Sequence, residues 1–211
     1  MQTESTLAAL KILRDASQFQ WYVIPIFVIV VYIYTVEVQR RDWSIVLAGI
    51  AFYGMDLFNE LWNALVLHFT QRSAVWTAPG KTAFLILVGL NIEITFMFAI
   101  LGICFVKMLP RDKSAKVFGI PNRLFFIVFN SILCVFIEVM LNRAGALVWD
   151  YSWWNFPNVW LIILIGYMPF MAVSFWVYDM EKMRNKITAV GVIYGVNLCA
   201  ILIFGVCLRW I

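Results

Sequence analysis

One histidine and four cysteines are all that these 211 residues offer as imidazole or thiolate ligands for a metal. A lone imidazole, His68, cannot build a bis-histidine haem or a multi-histidine metal centre. Cys104, Cys134, Cys199 and Cys207 show no CxxC spacing and read as small apolar packing residues. Also missing are a DDxxD or DxDD cluster to hold magnesium against a diphosphate, a P-loop, and a glycine-rich dinucleotide fingerprint. Without a GxSxG or a paired Ser and His, lipid hydrolysis has no visible nucleophile. The expectation is chemistry without metal or cofactor. Charge is scarce as well, at 13% of residues, and no linker or low-complexity stretch divides the chain, which predicts a single transmembrane domain over 1–211.

What is present is apolar. Hydrophobic residues make up 64% of the chain and the mean hydropathy is +0.87, far outside the range of soluble domains. Measured against the roughly 20 residues that cross hydrocarbon, six runs qualify: 19–37, 43–69, 82–107, 121–142, 157–179 and 187–208. The fold class expected is all-α, a polytopic membrane bundle of about six helices. The first run continues through Tyr32 and Tyr34 to Glu37 without a signal-peptide cleavage pattern and reads as a retained span. Residues 1–16 could form an amphipathic helix on the membrane surface.

The formal charge of +4 follows from topology and calls for no nucleic-acid partner. Ten basic residues, among them Arg40, Lys107, Arg123 and Lys186, fall in the odd-numbered loops, against six in the even loops and termini. The positive-inside rule places the ten in the cytoplasm. A multi-pass protein of a bacterial inner membrane or the endoplasmic reticulum is expected, with membrane lipids as its surroundings.

Polar residues inside the spans are few and concentrated. The segment GMDLFNELWN, from Gly54 to Asn63, sets Asp56 and Glu60 one helical turn apart, with Asn59 and Asn63 repeating that spacing beside them. An ionisable group at membrane depth costs roughly 2.5 to 3.5 kcal/mol on insertion scales, so such groups usually face a bundle interior and serve a function. Glu93 and Glu138 complete the set, Asn91, Asn130, Asn142 and Asn197 add carboxamides, and no span has a central Lys or Arg. A carboxyl enclosed without a cation is expected in its neutral, proton-donating form. Acids of this kind beside aromatic faces could protonate an alkene or epoxide and stabilise the resulting cation. Trp62, Trp149, Trp153 and Trp154 are available for that, although interfacial belts use the same residues. The acids could equally be interhelical ties. Asp150, in the tryptophan-rich loop, could close a lipid-facing mouth or act as a surface anchor, and Asp179, near Lys182 and Arg184, is expected in solvent.

Shifting the chain by 78 residues superposes Phe58 on Phe136, Glu60 on Glu138, Trp76 on Trp154 and Pro79 on Pro157. This suggests a parallel repeat of two helical hairpins, 43–107 and 121–179, with functional groups at the repeat interface.

The segment Asn59-Glu60-Leu61-Trp62-Asn63, followed by Asn91, resembles the second- and third-helix signature of the small integral membrane terpene cyclases of meroterpenoid pathways. The resemblance implies proton-initiated cyclisation of an isoprenoid or its epoxide, with the family's glutamate at Glu60. The expected function is therefore acid–base chemistry (cyclisation or isomerisation) on an isoprenoid or other lipid-soluble substrate. Glu60 would be the general acid, Glu138 or Glu93 the base, Asp56 their neighbour, and Asn59, Asn63, Asn91 and Asn142 the orienting or substrate-binding groups. Two rivals are a small-solute or proton-coupled transporter and a non-catalytic lipid- or partner-binding membrane protein.

Overall fold

The computed structural model describes residues 1–211 and is mostly helical. In chain order it contains α1 (Glu4–Ile12), α2 (Val23–Gln39), α3 (Trp43–Thr70), α4 (Ile92–Lys107), α5 (Asn122–Arg143), α6 (Val159–Leu161), α7 (Met168–Asp179) and α8 (Met183–Ala200). A π-helical segment, Ile162–Tyr167, joins α6 to α7, and a second, Ile201–Cys207, extends α8. Four helices are long and apolar enough to cross a membrane: Trp43–Thr70, Asn122–Arg143, Val159–Asp179 and Met183–Cys207. Two-residue strands add two antiparallel pairs: β1 (Trp76–Thr77) with β4 (Val148–Trp149), and β2 (Lys116–Val117) with β3 (Ile120–Pro121).

The most polar of the long helices, α3, is also the most enclosed. Its most apolar window is 56% buried, against 6% for Met183–Cys207, and α4, α7 and α8 all pack on it. Hydrogen bonds to its backbone help to hold it there, because a donor with no water to turn to seeks a carbonyl. Ser174 Oγ reaches Ala48 O at 2.9 Å, Tyr194 Oη reaches Ile50 O at 3.1 Å, and Asn197 Nδ2 reaches Gly54 O at 2.8 Å. Against α4 the approach is closer still. A Cβ on Gly102 would lie 2.7 Å from Gly49 O, so both positions must stay small. Below the polar segment the core is aromatic, with fully buried Phe52 surrounded by Phe98, Phe105 and Phe170 at 5.7 to 5.8 Å.

One expectation needs correcting. The apolar run 82–107 is helical only from Ile92. The preceding residues form an irregular loop that is nonetheless deeply buried, with Val75, Thr77, Ala83 and Leu85 wholly enclosed. Non-helical backbone at membrane depth is tolerated where protein covers it, and here its polar groups find partners. Ala78 N donates to Val88 O, Ile86 N to Leu90 O and Ile92 N to Phe84 O. Asn63, fully buried on α3, substitutes for a strand: its Oδ1 accepts from Val75 N (2.7 Å) and Trp76 N (3.2 Å), and its Nδ2 donates to Trp76 O (2.8 Å). Helix α1 lies across this loop, fastened by Thr3 N to Arg72 O and Arg14 N to Leu85 O.

Candidate functional site

Asp56 and Glu60 project from one face of α3, as the i, i+4 spacing requires, and both are 3% exposed. Glu138 comes from α5 and is half-buried. The three line a single cavity of about 50 Å³, together with Asn59. Its roof is the irregular loop (Trp76, Gly89) and the α5–α6 connection (Leu147, Trp154). Its floor is Phe98, Phe170 and Tyr167, with the Phe98 and Tyr167 rings stacked at 6.1 Å. No Lys, Arg or His touches it.

Each acid has a distinct setting. Glu60 accepts from Trp76 Nε1 at 2.8 Å through Oε1, while its Oε2 is buried without a partner. Glu138 Oε1 accepts from Tyr167 Oη at 2.9 Å. Asp56 Oδ2 is buried with no partner at all. No group of three or more His, Cys, Asp or Glu side chains is arranged to hold a metal ion. Two buried, unpartnered carboxyl oxygens opposite an aromatic wall suit a small polar group or a positively charged centre.

Local sequence explains how the wall is shaped. Pro169 has no N–H to return to residue 165, and upstream of it the helix widens into the π turns of Ile162–Tyr167, closed by Met168 N to Ile163 O. Wide turns of this kind frequently occur at functional sites. Here the segment presents Ile162, Gly166 and Tyr167 to the cavity. Gly89 is required by proximity, since a Cβ there would sit 2.6 Å from both Asn63 Nδ2 and the Trp76 ring.

Several residues expected at the site are elsewhere. Glu93 lies outside the cavity, in the first turn of α4, where it accepts from Ala83 N (2.7 Å), Thr82 Oγ1 and Tyr22 Oη and so ties the loop to the helix. Asn91 caps α4 through Ile94 N at 2.8 Å. Asn63 braces the loop as described, and Asn142 Nδ2 closes the turn after α5 on Leu147 O. Trp62 is 43% exposed and points away, although its ring lies 6.3 Å from that of Trp76. Trp149 is buried in β4 and Trp153 is 44% exposed, so of the four predicted tryptophans Trp154 alone faces the cavity. Asp150 fastens the N-terminus: its Oδ2 accepts from Thr3, Ser5 and Ser73 hydroxyls. Asp179 is not a free surface acid, because Arg123 grips it through two bonds of 2.8 and 2.9 Å.

Trp76, Phe98, Phe170 and Gly166 were not anticipated at the site. Trp76 had left a trace, since the 78-residue offset sets it on Trp154, and the two rings stack at 5.8 Å. The phenylalanines carry no local signal that separates them from lipid-facing ones.

Comparison with known proteins assigns the chain to a group. A family profile matches residues 3–206. The chain belongs to an uncharacterized membrane protein family. An uncharacterized protein of Archaeoglobus fulgidus is 51% identical over 211 residues, covering all of both chains. A second uncharacterized protein of the same organism is 43% identical over 55 residues, 26% of this chain and 98% of its own length. No solved structure matches. Membership, with four helices able to cross a bilayer, makes this a multi-pass integral membrane protein. It also corrects the resemblance to the terpene cyclases: the matching family is a different one, and two residues that carried the resemblance, Trp62 and Asn91, do not reach the cavity.

Proposed function

We propose that this protein is a membrane-embedded enzyme that moves protons to and from a lipid-soluble, alkene-bearing substrate such as an isoprenoid, isomerising it. The observation that carries the reading is the convergence of three uncompensated acids on one aromatic-walled cavity. Glu60 is the general acid: with Oε1 held by Trp76, the free Oε2 bears the proton and delivers it to an alkene carbon. The cationic centre that forms lies against Trp76, Trp154 and Phe98. Glu138 is the base, oriented by Tyr167, and removes a proton from the neighbouring carbon, so that the double bond shifts and no atom is lost. The proton returns from Glu138 to Glu60 past Asp56, restoring the starting state. Glu93, which lies outside the cavity and is bonded to Tyr22, Thr82 and Ala83, takes no part in this step.

The finer architecture in this reading is a six-span bundle, in which α2 and α4 cross as shorter helices and the buried loop completes the path of α4. The hairpins 43–107 and 121–179 form a parallel repeat, supported by Glu60 and Glu138 sharing a cavity and Trp76 stacking on Trp154.

A second reading, a proton-coupled carrier, is favoured by Asn130. This side chain is fully buried, neither end of its amide has a partner, and it lies two turns from Glu138 on the same face of α5, toward the basic end. In a carrier it would extend the polar path to the cytoplasm.

The two separate in one experiment on protein in lipid nanodiscs and proteoliposomes. Alkene lipids are incubated in D₂O and analysed by mass spectrometry. The enzyme incorporates deuterium and yields an isomer, and Glu60→Gln does neither while keeping its melting temperature. Solute-dependent proton flux in proteoliposomes without any isotope incorporation would overturn the enzyme reading.

A further inference from the structure

The cavity wall is incomplete on one side. Helices α4 and α5 each pack on α7, yet they make almost no contact with each other, which leaves a slot between them. Met97 and Leu101 of α4 and Ile137 and Leu141 of α5 line the cavity along that slot, and all four are partly exposed. At its inner end stands Glu138, whose half-buried state contrasts with the 3% exposure of Asp56 and Glu60. The slot therefore joins an apolar, lipid-facing rim to the acids.

Size and charge then define what enters. At about 50 Å³ the cavity is far below the roughly 300 to 1,000 Å³ of pockets that enclose a whole small molecule. It has room for the end of a chain, and the remainder must stay outside. That end meets an unpartnered carboxyl oxygen, Asp56 Oδ2, beside the acid of Glu60, and no cation to receive a phosphate or carboxylate.

We propose that the α4–α5 slot is a lateral entry for a single-chain lipid whose non-anionic, hydrogen-bond-donating end, a hydroxyl or an amine, reaches the acids while its tail remains in the bilayer. The proposal rests on the cavity being the reaction site and adds the substrate class and its route.

The test uses the full chain in nanodiscs with three photoactivatable probes of equal length that differ only in their end: alcohol, amine and phosphate. The alcohol and amine probes are expected to label α4 and α5 peptides and to be displaced by an unlabelled long-chain alcohol, whereas the phosphate probe labels them no more than it labels the lipid-facing surface of α8. Leu101→Trp fills the slot from one side and Leu141→Trp from the other, and each loses the displaceable labelling. Equal labelling by the phosphate probe, or wild-type labelling in both tryptophan variants, overturns the entry. Turnover, measured beside labelling, distinguishes this outcome from failure of the enzyme reading. Labelling without turnover in the wild type removes the enzyme and keeps the entry; turnover that persists in Leu101→Trp and Leu141→Trp removes the entry and keeps the enzyme.

Discussion

The acids at the basic end of the bundle and those in the cavity are treated in opposite ways. At the basic end Glu37 is 2% exposed, but Lys107 and Arg40 lie against it, and Asp179 is held by Arg123 in a two-point grip. These are closed arrangements that join α2 to α4 and α5 to α7. In the cavity, Asp56 and Glu60 are buried and Glu138 is half-buried, and the three line one space with only Trp76 and Tyr167 as donors. A fold that needed carboxyls merely to tie helices would be expected to complete them in the same way at both ends. The contrast is the one the proposed function predicts, because acids that act on a substrate must be left without a cationic partner.

Substitutions can break this comparison at either end. The largest effect is expected from Glu60→Gln or Glu138→Gln, which should lower turnover by about 10²- to 10⁴-fold, the usual contribution of a general acid or base. Deuterium incorporation reads the loss, and unfolding should stay near the wild-type midpoint because no charge pair is broken. Lys107→Met should act in reverse, on stability. It leaves Glu37 buried with only the more distant Arg40, costing about 3 kcal/mol, at the low end for a buried pair because Lys107 is itself partly exposed. Denaturation in detergent measures it, and adding Glu37→Gln should recover most of the loss.

Gly102→Ala forces α4 away from Gly49 and should cost about 1 to 3 kcal/mol through overpacking, seen as a lower midpoint with the substrate preference unchanged. Asn63→Leu removes the brace of the roof loop and leaves Val75 N without its acceptor, a cost of about 1 to 3 kcal/mol. Turnover should fall with it as Trp76 loses its position, which would show that the roof serves the acids as well as the fold. Trp62→Phe is the smallest change. Its outward ring should make less than about 0.5 kcal/mol of difference, and activity should be that of the wild type. A large loss of turnover there would move the site to the outer face of α3.

Some of this was legible along the chain. Helices that cross the membrane follow from apolar runs because backbone groups in hydrocarbon must pair within their own segment. Asp56 and Glu60 belong together for an equally local reason, the pitch of a helix. The loop before Ile92 was not legible, since an apolar run reads alike whether it is a helix or an irregular segment buried by its neighbours. Glu93 and Asn91 misled for a related reason. Counted from the start of the apolar run at residue 82, both fall inside a span, whereas the helix begins at Ile92 and they occupy its first turn and its cap.

Composition by itself determined that the chain is a multi-pass helical membrane protein, and short-range spacing determined which acids share a face of α3. The offset of 78 residues had already pointed to Glu138 and to Trp76 beside Trp154; the tertiary structure alone decided between Glu138 and Glu93, and set α4 and α5 each against α7 rather than against each other. The physical reason is range. Hydropathy and helical pitch act over one or a few turns, whereas the partner across a cavity is chosen by how whole helices pack, through contacts such as Gly49 on Gly102 that join residues far apart in the chain.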